Sequence, residues 1–254
     1  MKLKLFCTCL IIYALTACKE NYSTTKIEGK RLSISDSLET SVVIEDFIKP
    51  YRERVNRDLD STLAYSKETY SKNDGELNTA IGNFMADAVK ELSNPILKKR
   101  TGESIDLALL NHGGIRSIIS KGNVTSRTAY EVMPFDNEVV VTPMKADQIR
   151  QMLDYLSSSK RAHPISGLEL KLNEDYSIAN FKINGVEFDE NRTYFLATSD
   201  YLYNGGDRMQ FLKSKDSAYF LDYKIRNLLI DYFKKVDTLQ PVIDNRFIRD
   251  QKDY

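Results

Sequence analysis

Ile105-Asp106-Leu107-Ala108-Leu109-Leu110-Asn111-His112-Gly113-Gly114-Ile115-Arg116 runs from a short apolar segment straight into a diglycine followed by a cation. The apolar half, 105–110, reads as a buried strand, because it is short, continuous and bounded by a glycine turn. A second tract repeats the design: 193–199 reads as a strand and leads to Tyr201-Leu202-Tyr203-Asn204-Gly205-Gly206-Asp207. Glycine has no Cβ and adopts positive φ at little cost, so each doublet can bring backbone close to a ligand. An arginine at one turn suits a phosphate, and an aspartate at the other suits a pair of sugar hydroxyls. Together the two tracts point to a nucleotide pocket.

Strands and helices mix on either side of these tracts. Ile44, Phe47, Ile48, Tyr51 and Val55 recur near helical spacing, and 63–70 reads as a strand. A helix starting near Thr79 should turn Ile81, Phe84, Met85, Ala88, Val89 and Leu92 inward. Ser126 is expected to cap a brief helix that runs through Val132 and stops before Pro134. Glu138–Met144 alternates as a strand, and 145–156 is an amphipathic helix with Ile149, Met152, Leu153 and Leu156 on one face. Strands follow at 167–173 and 177–183, and Asn184-Gly185 should link the latter to 186–188 as a hairpin. The last helix, 222–235, should bury Ile225, Leu228, Leu229, Tyr232 and Phe233. No repeat or low-complexity tract interrupts the pattern, which predicts one α+β domain of mixed α/β layers over 42–250.

The N-terminus carries an address. Lys2 and Lys4 precede an apolar run at 5–15 that is too short to span a bilayer, so 1–17 reads as a signal peptide. The run closes on Leu15-Thr16-Ala17-Cys18, which resembles a bacterial lipobox and implies a lipid anchor at Cys18. The expected location is the bacterial cell envelope, with the polar segment 18–41 as a tether. Cys7 and Cys9 fall in the removed segment, so the folded part is expected to hold no disulfide and no cysteine metal site. Losing Lys2 and Lys4 would leave 34 basic against 36 acidic residues, a balance that gives no electrostatic case for nucleic acid.

The tracts carry a resemblance. Asn111-His112-Gly113-Gly114-Ile115-Arg116, Gly122-x-Val124-Thr125, Pro134-Phe135-x-Asn137, the helix from Lys145, and Tyr201-x-x-Asn204-Gly205-Gly206-Asp207 occur in that order. This order resembles the C-terminal, substrate-binding domain of the 5′-nucleotidase and UDP-sugar hydrolase family. Ile81-Gly82-Asn83-x-x-Ala86-Asp87-Ala88 is similar to the family's opening helix. The resemblance implies a nucleotide or nucleoside ligand, with Asn111 near the base, Arg116 at the phosphate, and Phe135 and Tyr201 sandwiching the base. It also implies that Asp207 holds the ribose hydroxyls and that Gly113, Gly114, Gly205 and Gly206 shape the pocket. Two rings against a base contribute about 1–3 kcal/mol per base by stacking. Where the family carries an arginine about five residues before the Gly-Asn pair, this chain has Leu77 preceded by Glu76. That missing guanidinium should weaken phosphate binding and spare the base and sugar contacts.

Hydrolysis in the family resembles two-metal chemistry, borne by a separate metallophosphoesterase domain. This chain has two histidines, His112 and His163, which cannot fill a multi-histidine dinuclear site, and no G-x-S-x-G elbow. No cofactor, metal ligand or catalytic residue is therefore expected here. The divalent ions are expected in a separately encoded metallophosphoesterase partner, and the other possibility is a stand-alone surface lipoprotein that binds nucleosides or nucleotides without a hydrolase role.

Overall fold

The computed structural model describes residues 24, 26–35, 37–214 and 217–250. Cys18 and the signal peptide lie outside the described residues, as does the final tetrapeptide 251–254. The chain divides into two compact units, Met1–Lys49 and Pro50–Tyr254. The described part of the first holds no helix or strand before helix α1 (Val42–Asp60), only a turn at 37–38 where the Leu38 amide donates to the Ser35 carbonyl. The helical spacing at 44–55 is therefore met, yet α1 buries no residue, and Ile44 and Val55 are more than half exposed.

The second unit is built on a five-stranded sheet of order β5-β2-β8-β4-β9. Its strands are β2 (Leu107–Leu109), β4 (Glu138–Met144), β5 (Ile165–Ser166), β8 (Tyr194–Ser199) and β9 (Tyr219–Lys224). Alternating side chains feed two cores. Ala108, Val139, Val141 and Ala197 join one apolar cluster with α2 (Ala80–Thr101), α3 (Ser126–Val132) and α5 (Ile225–Lys235). Leu107, Leu109, Met144 and Leu196 join the other with α4 (Ala146–Ser159), β6 (Leu168–Leu172) and β11 (Phe247–Arg249). Strands buried on both faces show no polar–apolar alternation, so 107–110 reads as a continuous apolar stretch after Asp106, and the alternation expected over Glu138–Met144 is absent, since 139–144 are all buried. Two three-stranded sheets flank it: β10 (Thr238–Leu239), β1 (Thr62–Ser66) and β3 (Gly122–Thr125) form one, and β11, β6 and β7 (Ile178–Ile183) the other.

Several boundaries differ from expectation. Strand β1 stops at Ser66, and Tyr70 makes only an isolated bridge with Ile119. Thr125, not Ser126, caps α3: its hydroxyl accepts from the Thr128 amide while the Thr128 hydroxyl accepts from the Thr125 amide, a reciprocal box. Residues 186–188 form no strand, since only Val186 bridges back to Ile183 across the Asn184-Gly185 turn. The last helix starts at Ile225, because 222–224 complete edge strand β9, and Tyr232 is only partly buried.

The opening helix motif serves the fold. Thr79 caps α2 by accepting from the Gly82 amide, and the Asn83 amide group donates to Asn78 Oδ1 and the Val242 carbonyl. Asp87 receives a two-pronged pair from Arg246 at 2.8 and 2.9 Å, which ties the C-terminal segment to the helix.

Candidate functional site

The two glycine tracts meet because of strand order. Strands β2 and β8 are parallel neighbours, with Leu107 opposite Leu196 and Ala108 opposite Ala197, so their C-terminal ends lie at the same edge. The Thr198 hydroxyl donates to the Leu109 carbonyl at 2.8 Å and locks the two exits together. Strand β4 pairs antiparallel with β8, with Val139 opposite Ser199, so the segment entering β4 arrives at that edge too. That segment carries Phe135. Loops at the carboxyl ends of sheet strands are where open α/β sheets bind ligands.

Asp207 is the hub. Asn111 Nδ2 donates to its Oδ2 at 2.7 Å, and the Tyr201 hydroxyl donates to its Oδ1 at 2.9 Å. That bond to the carboxylate, more than burial, raises the Tyr201 pKa. The Tyr155 hydroxyl, from α4, donates to the Asp207 backbone carbonyl at 3.0 Å. Arg116 donates from Nη1 to the Gly113 carbonyl at 3.3 Å, and its guanidinium carbon lies 5.9 Å from the centre of the Phe135 ring. Phe135 is 39 % exposed and Tyr201 47 %, so both rings present area to an incoming ligand. All nine expected binding residues thus gather at one sheet edge.

The glycines play unequal parts. Of the four pocket glycines only Gly205 has positive φ, at 92°, and a Cβ there would sit 2.4 Å from Gln210. A Cβ on Gly206 would stand 2.5 Å from the Tyr201 ring, so this glycine gives the ring its seat. A Cβ on Gly114 would meet Asn111 Oδ1 at 2.7 Å. Gly113 alone of the four has ordinary room, with its nearest atom at 3.4 Å. Asp207 and Arg208 are themselves left-handed, with φ of 50° and 63°. Non-glycine residues in that region cost about 1 kcal/mol or more each and gather at functional loops.

Residues from distant segments complete the edge. His163, buried to 4 % exposure, accepts the His112 amide at its Nδ1 at 3.3 Å, and its ring centre lies 5.4 Å from that of Tyr155 at a tilt of 56°. Its Nε2 has no hydrogen-bond partner among the described residues. Burial, and after it the neighbouring His112, push its pKa down to about 4, with Asp207 and the Leu110 carbonyl pulling weakly the other way. It is a neutral brace for the loop that carries Asn111. Burial also lowers the pKa of His112, whose Nδ1 contacts the Ala162 carbonyl at 3.3 Å. Lys72 donates to the Ile115 carbonyl at 2.8 Å and so places a second cation beside the Arg116 loop. Sequence spacing carries no signal for Tyr155, His163 or Lys72 as members of this edge. Leu77 is buried at 3 % exposure in an apolar cluster, so the position carries no cation.

No group of three or more His, Cys, Asp or Glu side chains among the described residues could hold a metal ion. The donor set therefore does not fit a dinuclear centre, since the His163 Nδ1 is already engaged by backbone.

Comparison with known proteins gives one pattern. The family model for the 5′-nucleotidase C-terminal domain matches residues 59–214. The chain is 28% identical over 141 residues to Protein UshA of Yersinia enterocolitica, covering 53% of this chain and 26% of that protein. It is 25% identical over 197 residues to a 5′-nucleotidase of Vibrio vulnificus, covering 72% of this chain and 32% of the relative. Among solved structures, the 5′-nucleotidase precursor of Thermus thermophilus superposes with a TM-score of 0.69 at 21% identity, covering 82% of this chain and 43% of that one. The chain thus spans a quarter to a third of those two relatives and less than half of the solved structure.

Proposed function

We propose, because the chain belongs to the 5′-nucleotidase C-terminal domain family, that it is the substrate-binding unit of a 5′-nucleotidase-type phosphohydrolase. In this reading Phe135 and Tyr201 grip the base, Asp207 accepts from the ribose hydroxyls, Asn111 aligns that carboxylate, and Arg116 faces the phosphate. The observation that carries it is Asp207, whose carboxylate is held by one donor from each glycine loop. Ribose hydroxyls would take the place of the Tyr201 and Asn111 donors or share the oxygens' remaining lone pairs.

Hydrolysis would need divalent ions from a metallophosphoesterase unit that the described residues do not supply. The lipobox-like Leu15-Thr16-Ala17-Cys18 supports a lipid-anchored protein of the bacterial cell envelope, where such a partner could be met.

The buried Leu77 favours a second reading, a nucleoside-binding surface lipoprotein with no hydrolytic partner. Calorimetric titration with adenosine and AMP separates the two. AMP bound at least as tightly as adenosine supports the hydrolase unit, and adenosine bound tighter supports the second reading. Tyr201→Ala should abolish either signal. Absence of heat with both ligands would sink the pocket assignment.

A further inference from the structure

A cavity of about 680 Å³ opens beside Asp207, lined in part by Arg161, Arg208, His112, Tyr155 and Gly113. Tyr201, Phe135, Asn111 and Arg116 do not line it, so it is separate from the aromatic pair while sharing Asp207 with it. Its charge is unbalanced. Among the described residues, the Arg161 and Arg208 guanidiniums make neither an ion pair nor a hydrogen bond, and Asp207 is the one carboxylate in the wall. Nor are the two guanidiniums remote, because both act electrostatically on the Tyr155 hydroxyl in the cavity wall. Left-handed φ angles at Asp207 and Arg208 turn successive side chains out of this one loop, a carboxylate and a guanidinium side by side. Gly113 lines the same wall as Asp207, and a Cβ there would stand 3.8 Å from the Asp207 carboxylate.

We propose that this cavity is a second anion subsite, taking a phosphate carried on the ribose side of the ligand, as in a nucleoside 3′-phosphate. The inference rests on the reading of Asp207 as the ribose ligand. A group attached to a hydroxyl at that carboxylate would extend past it, and the cavity beyond offers two unpaired guanidiniums. A guanidinium forks onto phosphate oxygens, so two of them offset the repulsion from Asp207.

The test compares adenosine with adenosine 3′-phosphate on the whole chain, and repeats both with an Arg161→Ala/Arg208→Ala double variant. Both arginines are exposed, so the variant should fold as the parent does. The 3′-phosphate should bind about ten-fold tighter than adenosine, and the double variant should erase that gain while leaving adenosine unchanged. Equal binding of the two ligands by the parent, or a gain that survives in the variant, overturns the subsite and leaves the base clamp standing. If adenosine itself gives no heat, the clamp reading falls. Inorganic phosphate then decides the subsite alone: binding lost in the variant keeps it, and no binding to the parent overturns it.

Discussion

The loop after β2 and the loop after β8 carry the same glycine doublet for different reasons. The first, 111–116, is held from outside. His163 accepts its His112 amide, and Lys72 donates to its Ile115 carbonyl, while Arg116 adds one bond within the loop to the Gly113 carbonyl. The second, 201–208, is shaped mainly by its own residues, with Gly205, Asp207 and Arg208 all at positive φ and Gly206 seating the Tyr201 ring, and takes one outside bond from Tyr155 at the Asp207 carbonyl. One loop is sensitive to its neighbours and the other to its own residues. Asn111 and Asp207 join them at 2.7 Å, so damage to either reaches the same carboxylate.

The largest effect should fall on the brace of the first loop. His163 titrates near 6.5 when unfolded and is pushed down to about 4 when folded, so the unfolded chain binds the proton first as pH falls. Its contribution to stability is therefore intact above pH 6.5, lost progressively toward pH 4 and constant below. The full loss is about 3 kcal/mol, from 1.4 kcal/mol per pKa unit. Denaturant melts at pH 7 and pH 4.5 should show it, and His163→Phe should flatten the difference. An equally steep loss in that variant would move the effect to other groups.

Gly206→Ala should come next, because the new methyl would overlap the Tyr201 ring, which has to swing away. Loss of one stacking face predicts adenosine binding weaker by about 1–3 kcal/mol. Gly205→Ala should act on stability instead. Its φ of 92° places an L-residue in a disfavoured region at a cost of about 1–2 kcal/mol, readable in a melt. Gly113→Ala, in the outside-held loop, should cost less than about 0.5 kcal/mol in either measurement, as substitutions away from strained or packed positions do. If Gly113→Ala were as damaging as Gly206→Ala, the contrast between the loops would collapse.

Much of this edge is legible in the sequence. The diglycines, Arg116, Phe135, Tyr201 and Asp207 stand in an ordered series of short motifs, and each motif sits at a strand end that its own apolar run announces. Helix and strand types are readable where one period persists, as in 145–156, and fail where the count is short. Residues 186–188 read as a hairpin arm but make a single bridge, because a two-residue turn alone does not supply pairing partners. Thr125 is hidden as a cap by the equally suitable Ser126 beside it.

Sequence by itself determined the mixed α+β character, the placement of the glycine motifs at strand ends and the charge of each motif, because these follow from local period and residue chemistry. Only the tertiary structure decided that β2 and β8 are parallel neighbours, which brings residues 96 apart into one hydrogen bond. It alone brought Tyr155 and His163 beneath Asp207 and His112, and left Arg161 and Arg208 unpaired over a cavity. Strand order and the packing of α4 on the sheet are set by how the two apolar cores close. That closure is a property of the whole chain, which no window of sequence contains.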